Sequence, residues 1–167
     1  MQSRRVAAAA ALALTAFTMA GCDKPGPNAT VFSGTTSATR EALCWSPDPA
    51  ATPTPDDCLF GNDSPAQLAD YVARIPVVPG GTVGISVDPE VAKAGWSVTV
   101  NGRPLNSHLI TSTYYRFALS EQNLRRGSLQ LQVVGATSDG KQTRGNWVFE
   151  LAPANSVPTA PQPTQPS

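Results

Sequence analysis

Between Thr82 and Leu151 five runs alternate apolar and polar residues with a period of two, a pattern that fits half-buried strands and in these runs no helix. Val83, Ile85 and Val87 share one face, with Thr82, Gly84 and Ser86 on the other. Trp96, Val98 and Val100 repeat the pattern, as do Tyr115 and Phe117 against Tyr114 and Arg116. Leu129, Leu131 and Val133 follow, then Trp147, Phe149 and Leu151. Thr30–Ser33 and Thr39–Trp45 carry a weaker version of the signal. Asn101-Gly102 and Asp139-Gly140 supply the positive φ that tight hairpin turns need, and the second joins the Leu129 run to the Trp147 run. Pro104 places its segment at a sheet edge or outside the ladder. About seven short strands separated by turns predict an all-β fold, an immunoglobulin-like antiparallel β-sandwich with short helical insertions.

Three such insertions are readable. Ser64-Pro65-Ala66-Gln67 is a capping box with proline at the first helical position. It predicts a helix with Leu68, Tyr71, Val72 and Ile75 on one face, stopped by Pro76. Asp88-Pro89-Glu90 opens a second, closed by Gly95 and with Asp88 as its cap. Ser120-Glu121 opens a third, closed by Gly127.

The first residues carry an address rather than a fold. Arg4 and Arg5 precede an uncharged Ala- and Leu-rich run from Val6 to Met19, and Met19-Ala20-Gly21-Cys22 resembles the lipobox of bacterial lipoproteins. That resemblance implies diacylglyceryl transfer to Cys22 and cleavage before it. Ser3-Arg4-Arg5 resembles a twin-arginine start, but Ala7 and Ala8 lack the bulky apolar residues of that pattern, so export by the general secretory route is expected. Two acyl chains give stable attachment where one is marginal. The expected product is a lipid-anchored protein on the extracytoplasmic face of the plasma membrane. Residues 1–21 are then signal peptide, 22–28 a membrane-proximal spacer, 29–152 the sandwich, and 153–167 a disordered tail with five prolines.

Composition narrows the chemistry. Twelve Lys and Arg balance twelve Asp and Glu, so there is no basic surplus to meet a nucleic acid. Loss of residues 1–21 removes both methionines and leaves ten basic and twelve acidic side chains. Cys44 and Cys58, an even pair in an oxidising compartment, are expected to form a disulfide that pins the loop before the first helix. The competing reading, free thiols binding metal, lacks partner ligands. Only one histidine, His108, is present, in a segment that reads as an exposed loop. No cofactor and no metal site is expected, since Cu(I) and Zn sites need ligands this chain does not supply. Asp56, Asp57, Asn62 and Asp63 could offer oxygens to calcium, but their spacing fits no EF-hand.

Catalytic patterns fare no better. Ser138-Asp139-Gly140-Lys141 matches the Ser-x-x-Lys of penicillin-recognising enzymes, yet it spans a turn, and that motif works only on a helix. There is no Gly-x-Ser-x-Gly elbow around which His108 could act. No catalytic residue is assigned. Trp96 and Trp147 alternate in phase with the core, whereas Trp45, beside Cys44, is the candidate binding aromatic.

Val87-Asp88-Pro89-Glu90-Val91-Ala92, Gly95-Trp96, Val100-Asn101-Gly102, Thr113-Tyr114 with Phe117, Gly145-Asn146-Trp147-Val148-Phe149 and the Cys44/Cys58 pair together resemble a family of small actinobacterial lipoproteins known only as a domain of unknown function. The resemblance spans residues 29–152. It implies a membrane-anchored envelope protein and carries no functional residues with it. The leading expectation is a non-catalytic module that binds an envelope protein or wall polymer. The alternatives are an envelope hydrolase using paired carboxylates such as Asp88 and Glu90, and a small-ligand carrier.

Overall fold

The computed structural model describes residues 25–59, 68–69, 71–124 and 127–156. Cys22 and the tail beyond Ser156 lie outside them, as do Asn62, Asp63 and the capping box at Ser64. Ten strands are present among the described residues: β1 (Asn28–Ser33), β2 (Thr36–Glu41), β3 (Cys44–Trp45), β4 (Ala73–Val77), β5 (Thr82–Val87), β6 (Trp96–Val100), β7 (Arg103–Pro104), β8 (Tyr114–Ala118), β9 (Leu129–Ala136) and β10 (Thr143–Pro153). They form two sheets, one ordered β2-β1-β5-β8 and the other β3-β10-β9-β6-β7, with β4 also on β10. The fold is the immunoglobulin-like sandwich the alternation predicts, with two short helices, Pro89–Ala94 and Glu121–Leu124, set between strands.

The period of two is what fills the core. Val31, Val83, Ile85 and Val87 point inward from the first sheet; Trp96, Val98, Leu131, Val133, Trp147, Phe149 and Leu151 meet them from the second. Each buried indole N–H finds an acceptor, Trp96 at the Ser112 carbonyl (2.8 Å) and Trp147 at the Pro27 carbonyl (3.0 Å). The second of these holds the segment before β1 against the other sheet. Asn101 (φ 49°) and Gly102 (φ 74°) both take positive φ and turn β6 into β7, whose Pro104 lies at the edge. At Asp139-Gly140 only the glycine is left-handed (φ 72°), because the β9–β10 connection is a six-residue loop from Thr137 to Gln142, not a two-residue turn.

Two expectations are corrected. Ala73–Val77 is a strand, not the last turn of the first helix; helical residues end at Tyr71. The spacing of Leu68, Tyr71, Val72 and Ile75 suits a helix, but Ala73, Ile75 and Val77 also alternate and are all buried. Pro76, read as a helix stop, is tolerated in a strand that carries a ladder on one side only. β4 also runs parallel to β10 (Ala73 opposite Phe149, Val77 opposite Pro153), so the sandwich is not wholly antiparallel. β10 runs on to Pro153 and is followed by a 3-10 turn at Ala154–Ser156.

Candidate binding cleft beside Trp45

Trp45 closes the two-residue strand β3, opposite Gly145 of β10. Directly before it, Cys44 is bonded to Cys58, which binds the loop 46–57 back onto the strand end. The ladder between β9 and β10 slips between Thr143 and Gly145: Thr143 pairs with Ala136 and Gly145 with Gly135, so Arg144 is an extra residue. A bulge of this kind re-aims a side chain. Here Arg144, although charged, is 4% exposed.

Two of the three guanidinium nitrogens of Arg144 carry hydrogen bonds. Nε donates to the Ser46 carbonyl (3.1 Å), and Nη2 donates to the Pro47 carbonyl (3.3 Å) and to Glu90 Oε1 (2.9 Å). Its flat face covers the Trp45 ring at 4.1 Å. The ring in turn rests over Gly145 and Gly135, where no Cβ intervenes, and tilts against Trp147 with centroids 5.7 Å apart. Burying a cation is tolerable when it is paired and hydrogen-bonded, and this one has an ion pair to Glu90 and two carbonyl acceptors.

Around this post lies an open cleft of about 740 Å³ lined by Pro47, Pro49, Pro89, Glu90, Lys93 and Arg144, with Ala94 and Ser138 at its margin. Three elements build the walls: the loop after β3, the helix Pro89–Ala94 and the β9–β10 loop, whose Ser138 N–H donates to the Pro49 carbonyl (2.7 Å). Trp45 itself is half-buried and lines a smaller hollow of about 240 Å³ with Glu41, Asp56, Asp57 and Leu59, so it stands between the two. Lys93 is exposed and makes no ion pair with a described residue.

The structure places the other sequence candidates apart. Asp88 makes no side-chain cap to its helix; its carboxylate accepts instead from the Asn28 N–H (2.8 Å), while Glu90 turns to Arg144. The two carboxylates considered for hydrolysis are thus held by different partners. His108 is exposed in the β7–β8 connection. Asp57 is tied to Thr54, whose N–H and hydroxyl hold its carboxyl below the usual range. Among the described residues no three Asp, Glu, His or Cys side chains converge as metal ligands. The residue the sequence reading passed over is Arg144. Its signal was faint: an arginine beside a glycine at the start of a strand, where a bulge is common.

No protein-family model matches this chain, and no curated protein does. Among solved structures, it is similar to the Clostridium thermocellum CbhA fibronectin(III)-like modules at 13% identity and a TM-score of 0.38, covering 49% of this chain and 87% of that one.

Proposed function

We propose that the chain is a lipid-anchored module of the outer face of the plasma membrane that holds another envelope component, protein or wall polymer, without transforming it. The signal pattern ending at Cys22 and the Cys44–Cys58 bridge support the extracytoplasmic address, as does the lipoprotein family that the sequence resembles. The single observation behind the binding role is the cleft beside Trp45. Its walls are proline rings, and its buried cation is already bonded to Ser46, Pro47 and Glu90. Such a surface is rigid, so a ligand meets it with little ordering cost. Glu90, held by Arg144, is better suited to positioning than to nucleophilic attack.

The test places a photo-crosslinking residue at Lys93 in the full-length protein in intact cells. A discrete adduct that weakens when Trp45→Ala reshapes the cleft is the expected result. Labelling no stronger than at an exposed control position such as Gln130 would remove the cleft from the proposal. Anchoring is tested separately: Cys22→Ala should leave the membrane fraction or stall as precursor.

A further inference from the structure

The outer face of the first sheet carries a second surface, remote from the cleft in sequence and independent of the lipid anchor. Strand register sets two cross-strand rows there: Ser37, Phe32, Gly84 and Arg116 in one, Thr39, Thr30, Ser86 and Tyr114 in the next. All point away from the core, since their neighbours Val31, Val83 and Ile85 are the fully buried residues. Each row contains one aromatic. Phe32 and Tyr114 are absent from the core and from the residues packed against it, and Tyr114 is 46% exposed.

The geometry of the two rings is specific. Phe32 lies over the bare Cα of Gly84, where any Cβ would run into its distal edge. Glycine in a strand interior weakens the strand, and it marks a place where something approaches closely. Here the Phe32 ring makes that approach and is laid down on the sheet. Tyr114 lies nearly parallel to it, 13° between planes and 6.0 Å between centroids, so the two rings form one aromatic patch on this face. The surroundings are hydroxyls: Thr30 and Thr39 are bonded to each other at 2.8 Å, with Ser37 and Ser86 beside them. Arg116, exposed and without an ion pair to any described residue, borders the Phe32 row.

We propose that this face binds an extended β-linked polysaccharide, with successive sugar rings laid on Phe32 and Tyr114. A pyranose presents a flat C–H face that stacks on an aromatic ring, and an equatorial rim of hydroxyls that bonds to Ser, Thr and Arg. A sheet face carrying two near-parallel aromatic rings among hydroxyls offers such contacts and no socket for a protein side chain. Composition points the same way. Protein interfaces are depleted of serine at their centres, whereas serine and threonine make up most of the rows around these rings. β8 is also a sheet edge, so a second copy pairing there is the competing occupant.

The experiment is co-sedimentation of the full-length protein, in detergent, with purified peptidoglycan sacculi and with a microcrystalline β-linked glucan. Saturable binding to at least one is expected, weakened about tenfold by Phe32→Ala or Tyr114→Ala, the upper range for loss of an aromatic contact. Phe32→Tyr should retain it. Gly84→Ala should weaken it by lifting the Phe32 ring; if that variant fails to fold, Tyr114→Ala on the edge strand still decides. Leu105→Ala, at an exposed apolar residue outside both surfaces, should bind as the wild type does. Failure to bind either polymer, equal binding by both alanine variants, or a dimer in solution that Tyr114→Ala dissolves would each overturn the proposal.

Discussion

The guanidinium plane of Arg144 covers the Trp45 ring at 4.1 Å, and through Glu90 the same guanidinium reaches the helix Pro89–Ala94. One side chain therefore joins three elements that are far apart in sequence: the short strand at Cys44–Trp45, the helix and β10. It does so from a bulge, the only place on that strand where an extra residue is accommodated within the described ladder. The side chain is 5% exposed against 37% for Glu90, so the pair straddles the boundary between core and cleft.

Breaking this junction should be expensive. Arg144→Ala leaves Trp45 uncovered and two carbonyls, Ser46 and Pro47, without their donor, and is expected to lower stability by about 3 kcal/mol. Arg144→Met keeps the apolar stem and removes the charge together with its burial cost, so it should lose less. Denaturant midpoints at unchanged slope distinguish the two.

Gly145→Ala tests the floor of the same arrangement. Its new Cβ would stand 2.6 Å from the Cys44 carbonyl oxygen, a backbone atom that cannot swing aside. Displacement of β3 should cost about 1–3 kcal/mol, as overpacking does. The Gly135→Ala contact, 3.2 Å from the Trp45 ring edge, is looser and should cost less.

Strands and turns could be read from the sequence because alternation and Asn-Gly chemistry are local. The Trp96, Leu129 and Trp147 runs became β6, β9 and β10 with the expected faces inward. β4 could not be read in that way. Its Ile75 satisfies helical and strand spacing alike, and only the parallel partner Phe149–Pro153, more than seventy positions away, chooses between them. Arg144 is harder still, since burial of an arginine depends on a bulge and on acceptors from Ser46, Pro47 and Glu90 that no local pattern brings together. Trp45 was singled out from its place beside Cys44, but its environment rests on Gly135 and Gly145 across the sheet.

The Cys44–Cys58 bridge closes a loop with thirteen residues between its ends, so a Cys44→Ala/Cys58→Ala double variant should be less stable by roughly 3 kcal/mol on the chain-entropy view. Thermal unfolding with and without reductant checks this: reductant should lower the wild-type midpoint and leave the double variant unmoved.

Acid stability should depend on Glu150. A hydrogen bond from the Ser128 side chain, and then Arg74 at 2.7 Å, hold its carboxyl below the ordinary 4.5, against an opposing pull from partial burial. A depressed folded value means the stabilisation is whole above about 4.5 and is lost as pH falls through the folded value. Wild type and Glu150→Gln should therefore differ at neutral pH and converge in acid. A difference that persists unchanged to pH 2 would show that the charge is not its source.

The alkaline limb belongs to Tyr71. Burial, followed by the negative charge of Glu41, raises its phenol from 10.0 to about 12, and its hydroxyl donates to the Glu41 carbonyl. A raised folded value gives stabilisation that is intact below pH 10 and disappears as pH climbs toward 12. Tyr71→Phe should unfold with a flatter dependence across that window, followed by tyrosinate absorbance at its alkaline end.

β10 holds β3 at Gly145 and Asn146, then β4 from Phe149 onward. Trp45 and Ala73 thus rejoin one strand at positions four residues apart, about 13 Å at the rise of a strand. The chain thus leaves the strand after Trp45 and is back on it at Ala73, through a narrow gate that spans the 27 residues 46–72 in sequence. Lengthening such an excursion costs only about 0.6 kcal/mol per doubling of its length. The sandwich can therefore host an exchangeable cassette here, in which one wall of the proline-lined cleft can be rewritten over evolutionary time while the two sheets stay as they are.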